Sequence, residues 1–229
     1  MIKKEMEQTN DDENTYIPTS YVEEYIREIH RRHIVSLGMK TVGKFKDVPK
    51  IYGIPKMHKD PIKFRFITGA KKSTLKPLTM ALQKMLSHFS KHVSSYCNVI
   101  KHRSGIKHHW SIDNSMKVVN DVLASERDMQ VFSADFSSLF TDLPHQVVKE
   151  NIRKLIIQCM RGYNYVRLQG DNVSYANADT AKCIYYRKEE IFFLIDTLLE
   201  SSFVRFGSTV YQQIKSIPQE VHAVHSWQI

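Results

Sequence analysis

The sequence predicts an α+β fold, and three observations lead there. Apolar residues recur at intervals of three and four in several long stretches, the mark of helices with one buried face. Short runs rich in β-branched and aromatic residues flank turn signals at two places, residues 50–68 and around Gly207-Ser208. Between them an apolar run at residues 131–134 drives into one carboxylate, Asp135. With 229 residues, 42% of them hydrophobic, the chain has enough apolar matter for one domain or one and a half.

In chain order, residues 1–18 are polar and acidic without periodicity and are expected to form a disordered leader. Residues 19–48 form an N-terminal helix and linker. Ser20 and Glu23 are spaced as a capping box, and Tyr21, Val22, Tyr25, Ile26 and Ile29 make an apolar stripe that should end by Gly38. The cations of that helix, Arg27, Arg31, Arg32 and His33, either face a polyanion or form a solvated surface. Ile51, Ile54, Phe64, Phe66 and Ile67, with Pro55 and Pro61 as breakers, predict two strands around a basic turn.

Helical spacing then governs Leu75, Leu78, Leu82, Met85, Leu86 and Phe89. A further helix should start at an Asp113-Asn114 cap and run to Ser125. Another follows Pro144, with Val147, Val148, Ile152, Leu155, Ile156 and Met160 on one side, and Asp142 is the expected cap. Residues 170–186 have few apolar side chains and many turn formers, which predicts an exposed insertion. The last helix begins near Lys188 and should bury Ile191, Phe192, Leu194, Ile195, Leu198 and Leu199. Two strands around Gly207-Ser208 then continue to Gln219.

Charge is unevenly distributed. Between Lys50 and Trp110 thirteen Lys and Arg stand against Asp60 alone, a local net of +12 in a chain of net +9, so the remainder is net −3. Tyr52, Phe64, Phe66, Phe89 and Trp110 are interleaved with these cations, a composition suited to a phosphate backbone with stackable bases. A solvated cationic surface is the plainer alternative. No apolar run approaches the ~20 residues of a membrane span, and residues 1–14 lack the apolar core of a signal peptide, so an intracellular location, nuclear or cytoplasmic, is expected. Cys97, Cys159 and Cys183 are odd in number and far apart, which predicts free thiols. His58, His102, His108-His109 and His145 have no metal-ligand spacing.

Three strings carry a more specific signal: Lys50-Ile-Tyr-Gly-Ile-Pro-Lys-Met-His-Lys59, Val131-Phe-Ser-Ala-Asp-Phe-Ser-Ser-Leu-Phe-Thr-Asp-Leu-Pro-His145 and Tyr211-Gln-Gln-Ile-Lys-Ser-Ile-Pro-Gln219. A carboxylate at the end of an apolar strand is costly unless it is paired or holds a cation, and Mg²⁺ is the usual partner beside phosphates. In this order, with Lys63-Phe-Arg-Phe-Ile-Thr68 after the first, the strings resemble a reverse transcriptase of the Penelope-like retroelement group, and more distantly telomerase reverse transcriptase. The resemblance spans roughly residues 50–219.

It implies a partial right-hand polymerase, with an antiparallel palm sheet packed on helices. Residues 49–128 would be a basic region like the fingers and residues 129–219 a partial palm. The implied activity is RNA-directed DNA polymerisation, on deoxynucleotides and an RNA or DNA template-primer, with two Mg²⁺ ions. Asp135 would be the catalytic carboxylate and first metal ligand, and the Phe136 carbonyl oxygen a second contact. Phe140 would lie under the sugar and exclude a 2′-hydroxyl. Lys56 and Arg65 would grip the triphosphate, and Gln219 would touch the sugar or base. Ser216 stands where the family usually has glycine.

After Gln219 the family continues into paired aspartates, whereas the adjacent aspartates of this sequence are Asp11-Asp12. Codons for residues 219–229, read in a frame shifted by one lost G, permit GSSCSPLMANL after the "IPQ", similar to the family's continuation. Residues 220–229 are therefore expected to be a frameshifted tail, and the chain to be truncated and inactive alone. A non-catalytic nucleic-acid-binding fragment, or a degenerate product, is the alternative.

Overall fold

The computed structural model of the chain describes residues 15–40, 43–58, 60–108, 114–124, 132, 143–180 and 183–217, and of residues 63, 65 and 66 the backbone alone. They form a mixed α+β structure. Eight strands make two sheets: a five-stranded sheet in the order β1-β8-β7-β2-β3 and a three-stranded sheet in the order β5-β4-β6.

Strand β1 (Tyr16–Thr19) lies antiparallel to β8 (Thr209–Gln213), with Tyr16 opposite Gln213. The expected disordered leader therefore ends in a strand. Local composition gave no sign of it, because β1 is held by backbone hydrogen bonds to a segment nearly two hundred residues away. β8 forms a hairpin with β7 (Phe203–Phe206) through Gly207, whose φ of +61° suits the turn. The expected hairpin is present, but β8 ends at Gln213 and not at Gln219.

Strands β2 (Lys50–Lys56) and β3 (Lys63–Gly69) form the second expected hairpin, antiparallel from Lys50↔Gly69 to Lys56↔Lys63. β2 joins β7 in parallel at Lys50↔Arg205, where the Arg205 N–H donates to the Pro49 carbonyl at 2.7 Å. The basic hairpin and the C-terminal hairpin thus belong to one sheet.

Helix α1 (Glu23–Ser36) covers one face of that sheet, packing Ile26 against Val48, Phe203 and Val210. Its start differs from the expected capping box: Val22 is the N-cap and makes no side-chain cap. Glu23 instead pairs with Arg27 at 2.7 Å and with Arg205 of β7 at 2.8 Å, which binds the first turn to the sheet. The buried stripe is Ile26, His30 and Ile34, while Tyr21 and Tyr25 are exposed.

Helix α2 (Lys76–Ser104) carries Pro77 in its first turn, and a left-handed Gly105 (φ +73°) caps its C-terminus. Its first half supplies Leu78, Leu82, Met85, Leu86 and Phe89, all essentially without solvent exposure. Each such side chain contributes about 1.5–3 kcal/mol by burial. Helix α3 (Ser115–Leu123) starts at Asn114, whose side chain accepts from the Lys117 N–H at 2.9 Å, as expected from the cap signal. It buries none of its residues.

Helices α4 (His145–Cys159) and α5 (Lys188–Glu200) pack antiparallel beside α2. The N-cap of α4 is Pro144, with no side-chain cap. Asp142, the expected cap, lies outside the described residues and does not occupy that position. Among the described residues three ion pairs hold α4 to α5: Arg153 to Asp196 at 2.5 Å, and Lys149, only 8% exposed, to both Glu200 and Asp196.

The segment expected to be an exposed insertion is instead structured. Strands β4 (Tyr165–Gln169), β5 (Asn172–Ala176) and β6 (Ile184–Tyr186) form the antiparallel second sheet, and Gly170 (φ +61°) with Asp171 makes a two-residue turn between the first two. Its few apolar residues are well used. Val166 and Tyr186 are buried, and Val173 and Tyr175 pack on the α2 core. Cys97, Cys159 and Cys183 are free thiols. Among the described residues no helix is long and apolar enough to cross a membrane.

Candidate functional site

The chain approaches the α4 N-terminus through Leu143-Pro144, and the Pro144 ψ of 132° turns it into the helix. That places His145 on the first turn, facing the segment that follows β8. The Ser216 N–H donates to the Leu143 carbonyl at 2.8 Å, and the His145 Nε2–H donates to the Ser216 carbonyl at 2.7 Å. Because a carbonyl can only accept, His145 carries its proton on Nε2. Burial holds its pKa below the usual value against the opposing pull of the Ser216 carbonyl, and the nearby Lys149 ammonium lowers it further.

Ser216 is fully buried with φ +76°, left-handed backbone that costs a non-glycine residue roughly 1–2 kcal/mol. Its Oγ has no hydrogen-bond partner among the described residues. The expectation that this position favours glycine thus meets a backbone that does require the conformation. Two of the three strings, residues 131–145 and 211–219, are joined here at Leu143, His145 and Ser216. Lys149 and Glu200, one helical turn further along the α4–α5 contact, fix the helix that carries His145.

Lys56 is the last residue of β2, half-buried, and pairs in register with Lys63, while Arg65 of β3 pairs with Ile54. Strand alternation assigns positions 54, 56 and 65 to one face of the ribbon. Tyr52 and Ile54 on that face are close to half exposed. The Lys56 ammonium makes no ion pair with a described residue, and the Arg65 side chain lies outside the described part. Asp135, Phe136, Phe140 and Gln219 all lie outside the described residues, so the carboxylate expected to hold Mg²⁺ is not among them. Of residues 125–142 Phe132 alone is described, and it is exposed. Among the described residues no group of three His, Cys, Asp or Glu is placed to hold a metal ion.

The cations of α1 are in a different state from those of the hairpin. Arg27 pairs with Glu23 and Glu24, and Arg31 and Arg32 pair with Glu28, at helical spacings of three and four. They form a solvated, internally neutralised face. On α2 the second half carries Lys91, Lys101, His102 and Arg103 beside an exposed Tyr96.

Sequence reasoning missed the basic and aromatic residues gathered by the second sheet, Arg161, Tyr163, Tyr165 and Arg187. The alternation in Tyr165–Gln169, buried at Val166 and Leu168, was the available signal. Comparison with protein-family models, curated proteins and solved structures finds no match.

Proposed function

We propose that the chain is a reverse-transcriptase-like domain, related to RNA-directed DNA polymerases of retroelements, that binds a template-primer and deoxynucleotides. The observation that supports this most is the pair of hydrogen bonds tying Leu143 and His145 to Ser216. A nucleotide site assembled from the Asp135 string and the Gln219 string needs the two strings anchored to each other, and their described ends are so anchored. The sheet also carries the basic β2–β3 hairpin beside the C-terminal hairpin, and its Lys56 makes no ion pair among the described residues. Asp135 would hold Mg²⁺, which in such an enzyme neutralises charge building on the transferred phosphoryl group.

A second reading, nucleic-acid binding without catalysis, is favoured by the concentration of positive charge at residues 50–110. Primer extension by the full chain with Mg²⁺ and deoxynucleotides separates the two. Extension abolished in Asp135→Asn supports the polymerase. Template-primer binding that is steep in salt but indifferent to Asp135→Asn supports the binder. A chain that neither extends nor binds the duplex at physiological salt sinks both.

A further inference from the structure

Away from the His145–Ser216 junction, the C-terminus of α4, the start of β4 and the N-terminus of α5 enclose an open groove of about 590 Å³. Arg161, Tyr163, Tyr165, Arg187 and Lys188 line it. The chain leaves α4 through Gly162, whose φ of +86° redirects it into β4 and sets Arg161 and Tyr163 on the rim.

The Tyr163 ring is 43% exposed, yet it is held from behind. It stacks on Tyr175 with centroids 4.6 Å apart and planes 12° from parallel, and Tyr175 in turn stacks against the buried Phe89 of α2 at 6.3 Å. A ring anchored on one side to the core and open on the other is a platform for a planar partner. Beside it, the Arg187 guanidinium lies 5.6 Å from the Tyr165 ring centre and donates to the Tyr165 hydroxyl at 3.4 Å. The exposed Arg161 side chain has no partner among the described residues, and Lys188 has only the exposed Glu189 at 3.8 Å.

Three cations and two tyrosines, against the single acidic Glu189, line one groove and fit a single-stranded polynucleotide, whose phosphates take the cations and whose bases take the rings. We propose that this groove is a second binding site for single-stranded nucleic acid, distinct from the hairpin. The antiparallel α4 and α5 separate the groove from the His145–Ser216 junction: Lys149 and Arg153 meet Glu200 and Asp196 near the junction, while Lys188 at the other end of α5 faces the groove. With 13 residues in α5, that is about 20 Å. The inference rests on the reading of the chain as a nucleic-acid binder.

The test uses the full chain with fluorescein-labelled single-stranded oligo(dT) and oligo(U) of about a dozen nucleotides, titrated over a salt series, the two arms separating DNA from RNA. Removing two phosphate contacts in the double variant Arg161→Gln/Lys188→Gln should flatten the log–log salt slope by about 1.4. Tyr163→Ala should weaken binding roughly tenfold, and Tyr163→Phe should leave it near wild type. An oligonucleotide carrying 5-iodouracil should crosslink, in the unmodified chain, to the peptide containing Tyr163, which keeps the test independent of how the variants fold. Unchanged slope and affinity in the groove variants, with crosslinks elsewhere, overturn the groove. If Lys56→Gln alone then reduces affinity, the nucleic-acid-binding reading stands without it. Absence of binding to either oligonucleotide overturns the groove as well, while duplex binding and primer extension still report on the wider reading.

Discussion

His145 and Ser216, 71 residues apart in the chain, are joined by a 2.7 Å hydrogen bond from the imidazole Nε2–H to the backbone carbonyl. The bond ties the start of α4 to the segment after β8, and the Ser216 N–H returns to Leu143 to close the connection. Replacing His145 by Ala removes the donor and leaves a buried carbonyl unpaired. Urea unfolding should show a loss of about 1–2 kcal/mol, and His145→Gln, which keeps an N–H donor, should recover part of it.

Ser216 holds left-handed backbone with a buried hydroxyl that finds no hydrogen-bond partner among the described residues. Ser216→Gly removes both penalties, offset in part by the greater freedom of glycine in the unfolded chain. A net gain of about 0.5–1 kcal/mol is expected, read as a higher denaturation midpoint at unchanged m-value. Ser216→Ala keeps the strained backbone and should gain less; equal gains would show that the hydroxyl and not the backbone carries the cost.

His30 is the buried titratable group of the α1 face. Its Nε2–H donates to the Ser201 carbonyl at 2.8 Å, and its Nδ1 accepts from the Thr74 hydroxyl at 2.7 Å. Burial, against the pull of the Ser201 carbonyl and aided slightly by His33, lowers its pKa from 6.5 to about 4. A depressed value means that the unfolded chain binds the proton first. The stability that His30 confers is full above pH 6.5 and is lost as pH falls toward 4, on the order of 3 kcal/mol in all. His33, His88 and His145 are lowered in the same sense by burial. His30→Gln should therefore flatten the stability profile between pH 6.5 and 4 without making it level, measured by urea titration at several pH values.

Lys149 joins Glu200 and Asp196 almost out of solvent. Lys149→Met leaves Asp196 with Arg153 alone and should destabilise by about 2 kcal/mol, below the range for fully buried pairs because Glu200 is mostly solvated. A change in thermal midpoint within error of wild type would show that the α4–α5 contact does not depend on Lys149.

In the hairpin, Lys56→Gln removes a cation that makes no ion pair among the described residues. If a phosphate sits there, the log–log salt slope of template-primer binding should fall by about 0.7–0.9. Arg31→Gln on α1, whose guanidinium is already paired with Glu28, should leave that slope unchanged.

Helices and hairpins were legible wherever the signal was local. The Leu78–Phe89 stripe, the Asn114 cap and the Gly207 turn each act within a few residues, and each element is present there, although α2 continues to Ser104 and β8 stops at Gln213. The second sheet was not legible in the same way, since Gly170, Asp171 and Asn172 look alike in an exposed loop and in a tight hairpin turn. What distinguishes the hairpin is that Tyr175 and Val173 find α2 beneath them. Of the expected site, Lys56 and the backbone of Arg65 lie where the hairpin puts them, and Asp135, Phe136, Phe140 and Gln219 fall outside the described residues.

By itself the sequence determined the helical segments, both hairpins of the large sheet and the lopsided charge, because periodicity, caps and turn residues act through neighbours. Tertiary structure alone decided that Tyr16–Thr19 becomes a strand, that His30 is an interior residue, and that His145 meets Ser216. Strand pairing and burial depend on partners distant in the chain, and hydrogen bonds between segments 44 to 171 residues apart leave no mark on local composition.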